Sequence, residues 1–177
     1  MNLSNQSFNI VLTGFMGTGK STVGRILAEK LQFPFVDTDA WIEETNGMSI
    51  PVIFAERGEG AFRLMEQEAA KTLAQNGGQI VSTGGRMMLD PHNVAVFESN
   101  SQIFCLTASA EEIYRRITFD SDGIERPLLR GKDPMQKIIS LLEERRPLYG
   151  QFYQIETEGK SPDQIAQEIL DSLNTPN

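Results

Sequence analysis

The sequence predicts an α/β fold, a three-layer sandwich with a central, mostly parallel sheet between two layers of helices. Three observations point there. Short apolar runs alternate with segments of helical periodicity, and strands separated by helices build a parallel sheet covered on both faces. The first apolar run ends in a Gly-rich turn, Gly14 to Gly19, that opens into a helix. The 177 residues are 40% hydrophobic and 23% charged, which suits one compact domain spanning 1–177 with a buried core.

Taken in order, Phe8 to Thr13 is an apolar run that reads as a buried strand. Val23, Ile26, Leu27 and Leu31 follow at helical spacing, and Pro34 closes that helix. Phe35-Val36 is a brief second strand ending at Asp37, after which Trp41, Ile42 and Thr45 are spaced for another helix. Ile80 to Ser82, just before Gly84-Gly85, and Gln102 to Leu106 are further strands. Ser109 with Glu112 makes a capping box for a helix through about Phe119. Ser161-Pro162 with Gln164 makes a second one, opening a C-terminal helix whose core face is Ile165, Ile169, Leu170 and Leu173. Asp120 to Pro134 is charged and rich in Gly and Pro. It is either a flap inserted in the domain or a plain solvated loop.

Charge and cysteine usage exclude several classes. With 16 Lys and Arg against 24 Asp and Glu, the net charge is −8, which argues against gripping nucleic-acid phosphates or anionic lipid. A small anionic ligand would need a local basic pocket. A single cysteine, Cys105, excludes an intrachain disulfide framework and a multi-cysteine metal site. There is no apolar stretch of bilayer-spanning length and no signal-peptide pattern at Met1 to Gln6. The expectation is a soluble cytoplasmic protein.

Gly14 to Ser21 (GFMGTGKS) fits G-x-x-x-x-G-K-[ST] between a strand and a helix, the context this phosphate-binding motif requires. Its glycines let the backbone curl so that successive amides converge on phosphate oxygens. Lys20 supplies a point charge to the outer phosphates, and the Ser21 hydroxyl is a Mg²⁺ ligand. Binding of a nucleoside triphosphate is therefore assigned to Gly17, Thr18, Gly19, Lys20, Ser21 and Thr22. A dinucleotide fingerprint fails on spacing, because Thr22 stands where its third glycine belongs.

Asp37-Thr38-Asp39 follows the second strand. Were strand geometry to persist, both carboxylates would face one side, one for the metal shell and one to orient or deprotonate an acceptor hydroxyl. Alternatively, Asp39 caps the next helix and does nothing else. Arg63, Arg126 and Arg145 lie in short distinctive runs. Guanidinium groups clamp carboxylates and phosphates bidentately, so their convergence would build the local basic pocket. Each by itself reads first as a surface charge.

At this point the chain resembles the shikimate kinases, small phosphate-loop enzymes that transfer the γ-phosphoryl of ATP to the 3-hydroxyl of shikimate. The similarity runs from about Asn9 to Ser172. It rests on the loop with Gly24-Arg25, Asp37-x-Asp39, Gly47-Met48-Ser49-Ile50 with Ile53-Phe54, and Gly58-Glu59 with Phe62-Arg63. Gly84-Gly85, Arg126-Pro127-Leu128-Leu129 and Arg145-x-Pro147-x-Tyr149 follow in family order. The resemblance implies a P-loop kinase fold with a five-stranded sheet, a lid at about 120–134, and a monomer acting in aromatic amino-acid biosynthesis. It implies that Lys20, Asp39 and Arg126 are catalytic, with Asp39 on the shikimate hydroxyls and Arg126 reaching the phosphates from the lid. Arg63 and Arg145 would hold the shikimate carboxylate, and Gly84 and Gly85 would offer backbone contacts. Ser21, with Asp37 through water, would position Mg²⁺, while Arg116 and Lys160 would flank adenine.

The sequence departs from that family at Gly84-Gly85-Arg86, where three glycines commonly stand, and at Asn93-Val94, where Asn-Arg is frequent. A third glycine would matter if the backbone there lay against substrate or took positive φ. Arg86 could point outward, add a contact to the acceptor's carboxylate, or obstruct the pocket. Two rivals therefore stand beside shikimate phosphorylation: a kinase for another hydroxylated carboxylate such as a sugar acid, and a nucleotide-binding regulator without transfer. His92, the only histidine, reads as a helix-start residue, Cys105 as a small core residue, and Met87-Met88 as core filler.

Overall fold

β1 (Asn9–Gly14) is buried along its whole length, which is why its sequence is nearly continuously apolar. The computed structural model describes residues 8–119 and 133–174. β1 is the middle of a five-stranded sheet with β2 (Phe35–Asp37), β3 (Ile80–Ser82), β4 (Ser101–Thr107) and β5 (Tyr153–Glu156), in the order β2-β3-β1-β4-β5. Every pairing is parallel, so the expectation of a mostly parallel sheet sharpens to an all-parallel one. The register sets Leu12 beside Ser82 and Gly14 beside Leu106, and Ser82 in turn beside Asp37. The carboxyl ends of β1, β2 and β3 thus meet at one edge, where open α/β sheets bind ligands.

Alternating side chains feed two separate cores. Ile10, Leu12, Ile80, Phe104 and Leu106 pack against Leu27 of α1 (Lys20–Leu31) and Ile165 and Ile169 of α7 (Pro162–Asn174). Val11, Val81 and Cys105 face the other layer. It is built from α2 (Thr38–Asn46), α3 (Ile50–Gln75), α4 (Pro91–Glu98), α5 (Ala110–Phe119) and α6 (Pro134–Tyr149), through residues such as Ile42, Phe62, Phe97, Ile113 and Ile138. Cys105, Met87 and Met88 lie in this second core, as their sequence context suggests. His92 sits in the first turn of α4, its N–H donating to Asp90 Oδ1 at 2.9 Å.

The sequence reading left α3 and α6 unassigned, and it differs from the structure at three further places. β5 escapes it because only Ile155 of Tyr-Gln-Ile-Glu is buried, as befits an edge strand. The charged segment ends earlier than Pro134, because Asp133 caps α6 by accepting from Gln136 N at 3.0 Å and Pro134 is its first residue. The Ser109 capping box is half made. Ser109 Oγ accepts from Glu112 N at 3.2 Å, but the Glu112 carboxylate turns to Arg115 and Arg116. Charged donors outcompete a backbone N–H for a carboxylate. The Ser161–Gln164 box is complete, with bonds of 3.3 and 2.8 Å. Among the described residues, no helix is long and apolar enough to cross a membrane.

Candidate active site

The phosphate loop leaves β1 at Gly14 and enters α1 at Lys20, with Gly19 at the N-cap. Lys20 Nζ lies over the loop, donating to the carbonyls of Gly14 and Phe15 at 2.9 Å each. Thr18 Oγ1 closes the turn onto Phe15 O at 2.8 Å. The loop and first turn of α1 line a cavity of about 810 Å³, whose walls also carry Asp37, Asp39, Gly84, Gly85, Arg116 and Lys160. The turn of backbone amides at the positive end of α1 makes this edge a place for phosphate. Thr22, on the same turn, also lines it.

Asp37 and Asp39 do not share a strand face, because β2 ends at Asp37 and α2 begins at Thr38. Asp37, not Asp39, is the cap: its Oδ1 accepts from the amides of Asp39 and Ala40 at 3.1 and 3.4 Å. Its Oδ2 accepts from Ser21 Oγ at 2.9 Å, and Ser82 Oγ lies 3.2 Å from the same hydroxyl. Capping by Asp37 leaves the Asp39 side chain available in the cavity. A Cβ on Gly84 would lie 2.5 Å from Asp39 Oδ1, so only glycine admits this approach. The Gly84 N–H is fixed by Thr38 Oγ1 at 2.9 Å. Burial, with Asp37 adding, raises the Asp39 carboxyl to about 6, against the opposing fields of Lys20 and Arg63.

The arginines divide. Arg145 is 2% exposed near the C-terminal end of α6, its Nη1 donating to Gly85 O at 3.2 Å. Tyr149 Oη donates to the same carbonyl at 2.6 Å, and the Arg145 guanidinium lies 5.1 Å from the Phe15 ring centre. Arg145 Nε has no partner among the described residues, an unusual state for a buried donor. Arg63 follows a kink in α3 at Gly58, whose φ of 79° and ψ of 172° interrupt the helix and favour glycine. It donates to Glu59 Oε1 at 2.9 and 3.2 Å and to Glu66 Oε2 at 2.6 Å. Arg63 and Arg145 lie beyond Asp39 and Gly85 rather than on the cavity wall itself. Arg116 is on that wall, tied to Glu112 at 2.7 Å and to Thr157 at 2.9 and 3.0 Å. Lys160 is there too, paired with Glu168 at 2.6 Å. Arg126 lies outside the described residues, as do residues 120–132 of the segment at about 120–134 expected to form a lid.

Sequence reasoning missed Glu66, Tyr149 and Thr38 as supports of these groups. Glu66 was legible in principle, being three residues after Arg63 on one helix face. Tyr149 and Thr38 stand in runs the sequence singles out, but their partners, Gly85 and Gly84, lie 64 and 46 residues away. Arg86 resolves one question, since its φ of −120° and ψ of −10° impose no need for glycine.

Residues 16–174 match the family described as shikimate kinase. The chain belongs to the shikimate kinase family. A shikimate kinase of Thermodesulfovibrio yellowstonii is 42% identical over 163 residues, 92% of each chain. One from Persephonella marina is 44% identical over 163 residues, covering 92% of this chain and 96% of the relative. The structure of an Acinetobacter baumannii shikimate kinase in complex with shikimate superposes with a TM-score of 0.87 at 35% identity, covering 97% of this chain and 95% of that one. As a shikimate kinase family member, the chain is an ATP-dependent phosphotransferase. The Ser21 hydroxyl and the Asp37 carboxylate are hard oxygen donors, the kind Mg²⁺ takes when phosphate oxygens and water complete its shell.

Proposed function

We infer that this shikimate kinase transfers the γ-phosphoryl group of MgATP to the 3-hydroxyl of shikimate, giving shikimate 3-phosphate and ADP for aromatic amino-acid biosynthesis. The observation that carries this reading is the place of Asp39, against Gly84 and within the fields of both Lys20 and Arg63. One carboxyl thereby stands between a phosphate site and a cation able to hold an acceptor's carboxylate. Arg145 supports it, because its unpartnered Nε is a buried donor that a substrate carboxylate would satisfy.

In this mechanism Arg63 and Arg145 bind the acceptor carboxylate and Gly84-Gly85 lets the ring approach closely. Asp39 accepts the proton of the 3-hydroxyl as its oxygen bonds to the γ-phosphorus and the bond to the ADP oxygen breaks. Lys20 and the amides of Gly17, Thr18, Gly19, Ser21 and Thr22 hold the phosphates in line. Ser21, with Asp37 behind it, would hold Mg²⁺, which when bound neutralises charge on the phosphate oxygens. Arg126 is assigned to the same charge from a lid that excludes water, and Arg116 and Lys160 to the adenine side. We take 1–177 as a single domain that works as a cytoplasmic monomer.

A coupled ADP-release assay over a panel of hydroxylated carboxylates tests the reading. Turnover that depends on shikimate is expected. Turnover only with a sugar acid, or MgATP binding with no turnover on any acceptor, would overturn it.

A further inference from the structure

Arg86 is exposed, yet it is not a stray surface charge. Its backbone belongs to the turn that carries Gly84 and Gly85, held by Met87 N to Gly84 O at 3.1 Å and Leu89 N to Arg86 O at 3.0 Å. The same turn is gripped from α6, where Arg145 and Tyr149 both donate to Gly85 O. From there Arg86 Nη1 comes within 3.2 Å of Glu59 Oε1. That oxygen is the one that accepts both the Nε and the Nη2 of Arg63. Two guanidinium groups therefore converge on a single carboxylate oxygen at the rim of the acceptor side.

The charge count explains what this does. Arg63 lies between Glu59 and Glu66, and these three side chains sum to one negative charge. Such a cluster weakens the hold of Arg63 on an incoming anion, both by its net sign and by occupying the guanidinium. Arg86 brings the sum to zero and competes with Arg63 for Glu59. Its field also reaches Glu66 and Tyr149, which places its charge toward the site. We propose that Arg86 is a positioning residue for the anionic acceptor, neutralising Glu59 so that Arg63 is free to hold the acceptor's carboxylate. This rests on the function proposed above and adds to it a residue outside the set assigned there.

Arg86→Met is expected to raise KM for shikimate about two- to fivefold, the scale of an exposed ion pair, with kcat and the KM for ATP unchanged. The difference is expected to shrink as salt is raised. Removing the other charge restores the balance, so Arg86→Met with Glu59→Gln is expected to return KM close to the wild-type value. A wild-type chain without shikimate-dependent turnover overturns the function and this inference together. A wild-type chain that turns over, with an unchanged or lowered KM in Arg86→Met, overturns this inference alone. So does a raised KM that salt leaves intact or that Glu59→Gln fails to rescue.

Discussion

Asp39 is held by its surroundings in a state that has consequences for both rate and stability. Its carboxyl is raised to about 6, chiefly by burial, and only the ionised form accepts a proton. The kcat/KM for shikimate is therefore expected to rise with pH through about 6 in a pH–rate profile, and Asp39→Asn to remove both the rise and most of the activity. The sign for stability is opposite. An acid whose folded pKa lies above its unfolded value of about 3.9 destabilises the fold at high pH, where both states are ionised. Asp39→Asn is thus expected to stabilise the chain at pH 7 by on the order of 2–3 kcal/mol. The gain should fade as pH falls from about 6 to about 4, as read by thermal melts across that range. Lys20→Ala is expected to lower kcat by at least about 10²-fold. Arg145→Lys keeps the charge but loses the planar fork, so KM for shikimate should rise by about tenfold with KM for ATP unchanged.

At the scale of elements, the site depends on where helices start and break. α2 begins one residue after β2 because Asp37 caps it, and that cap turns Asp39 toward Gly84. Within α3, Gly58 allows the backbone to leave the helix and return, so that Arg63 and Glu66 on the second half share a face beneath the acceptor side. Gly58→Ala puts a Cβ on a residue with φ of 79° and ψ of 172°, a region essentially reserved to glycine that costs other residues about 1–3 kcal/mol. The expected outcome is a lower Tm and a weaker KM for shikimate, with KM for ATP preserved because the phosphate loop is on a different element. Local signals made the strands β1 to β4, α1 and α7 readable, since their apolar faces are continuous and their caps have recognisable chemistry. β5, α6 and α3 with its kink were not read. An edge strand buries one face of a few residues, and a Gly inside a helical pattern does not announce its φ.

Across the whole molecule, ligand binding at the sheet edge is coupled to folding, because the phosphate loop, Asp37 and Ser82 come from strands that meet only in the native state. A nucleotide at about 100 times its Kd is expected to stabilise the chain by about 2.7 kcal/mol. In a calorimetric melt this corresponds to a rise of roughly 5–10 °C for a chain of this size, and the rise should be largely lost in Lys20→Ala. Sequence by itself determined the α/β class, the phosphate loop and the chemical types at the site, because strand period, helix period and G-x-x-x-x-G-K-S are local patterns. It also determined that an anion-binding protein of net charge −8 needs a basic pocket somewhere. Only the tertiary structure decided that Asp37 is the cap and Asp39 the carboxyl in the cavity. It alone joined Arg145 and Tyr149 on one carbonyl, and Arg63 and Arg86 on one glutamate oxygen. The contacts of Arg145 and Tyr149 with Gly85 span 60 and 64 residues of chain, and charge in proteins acts through distance in space, which spacing along the chain does not encode.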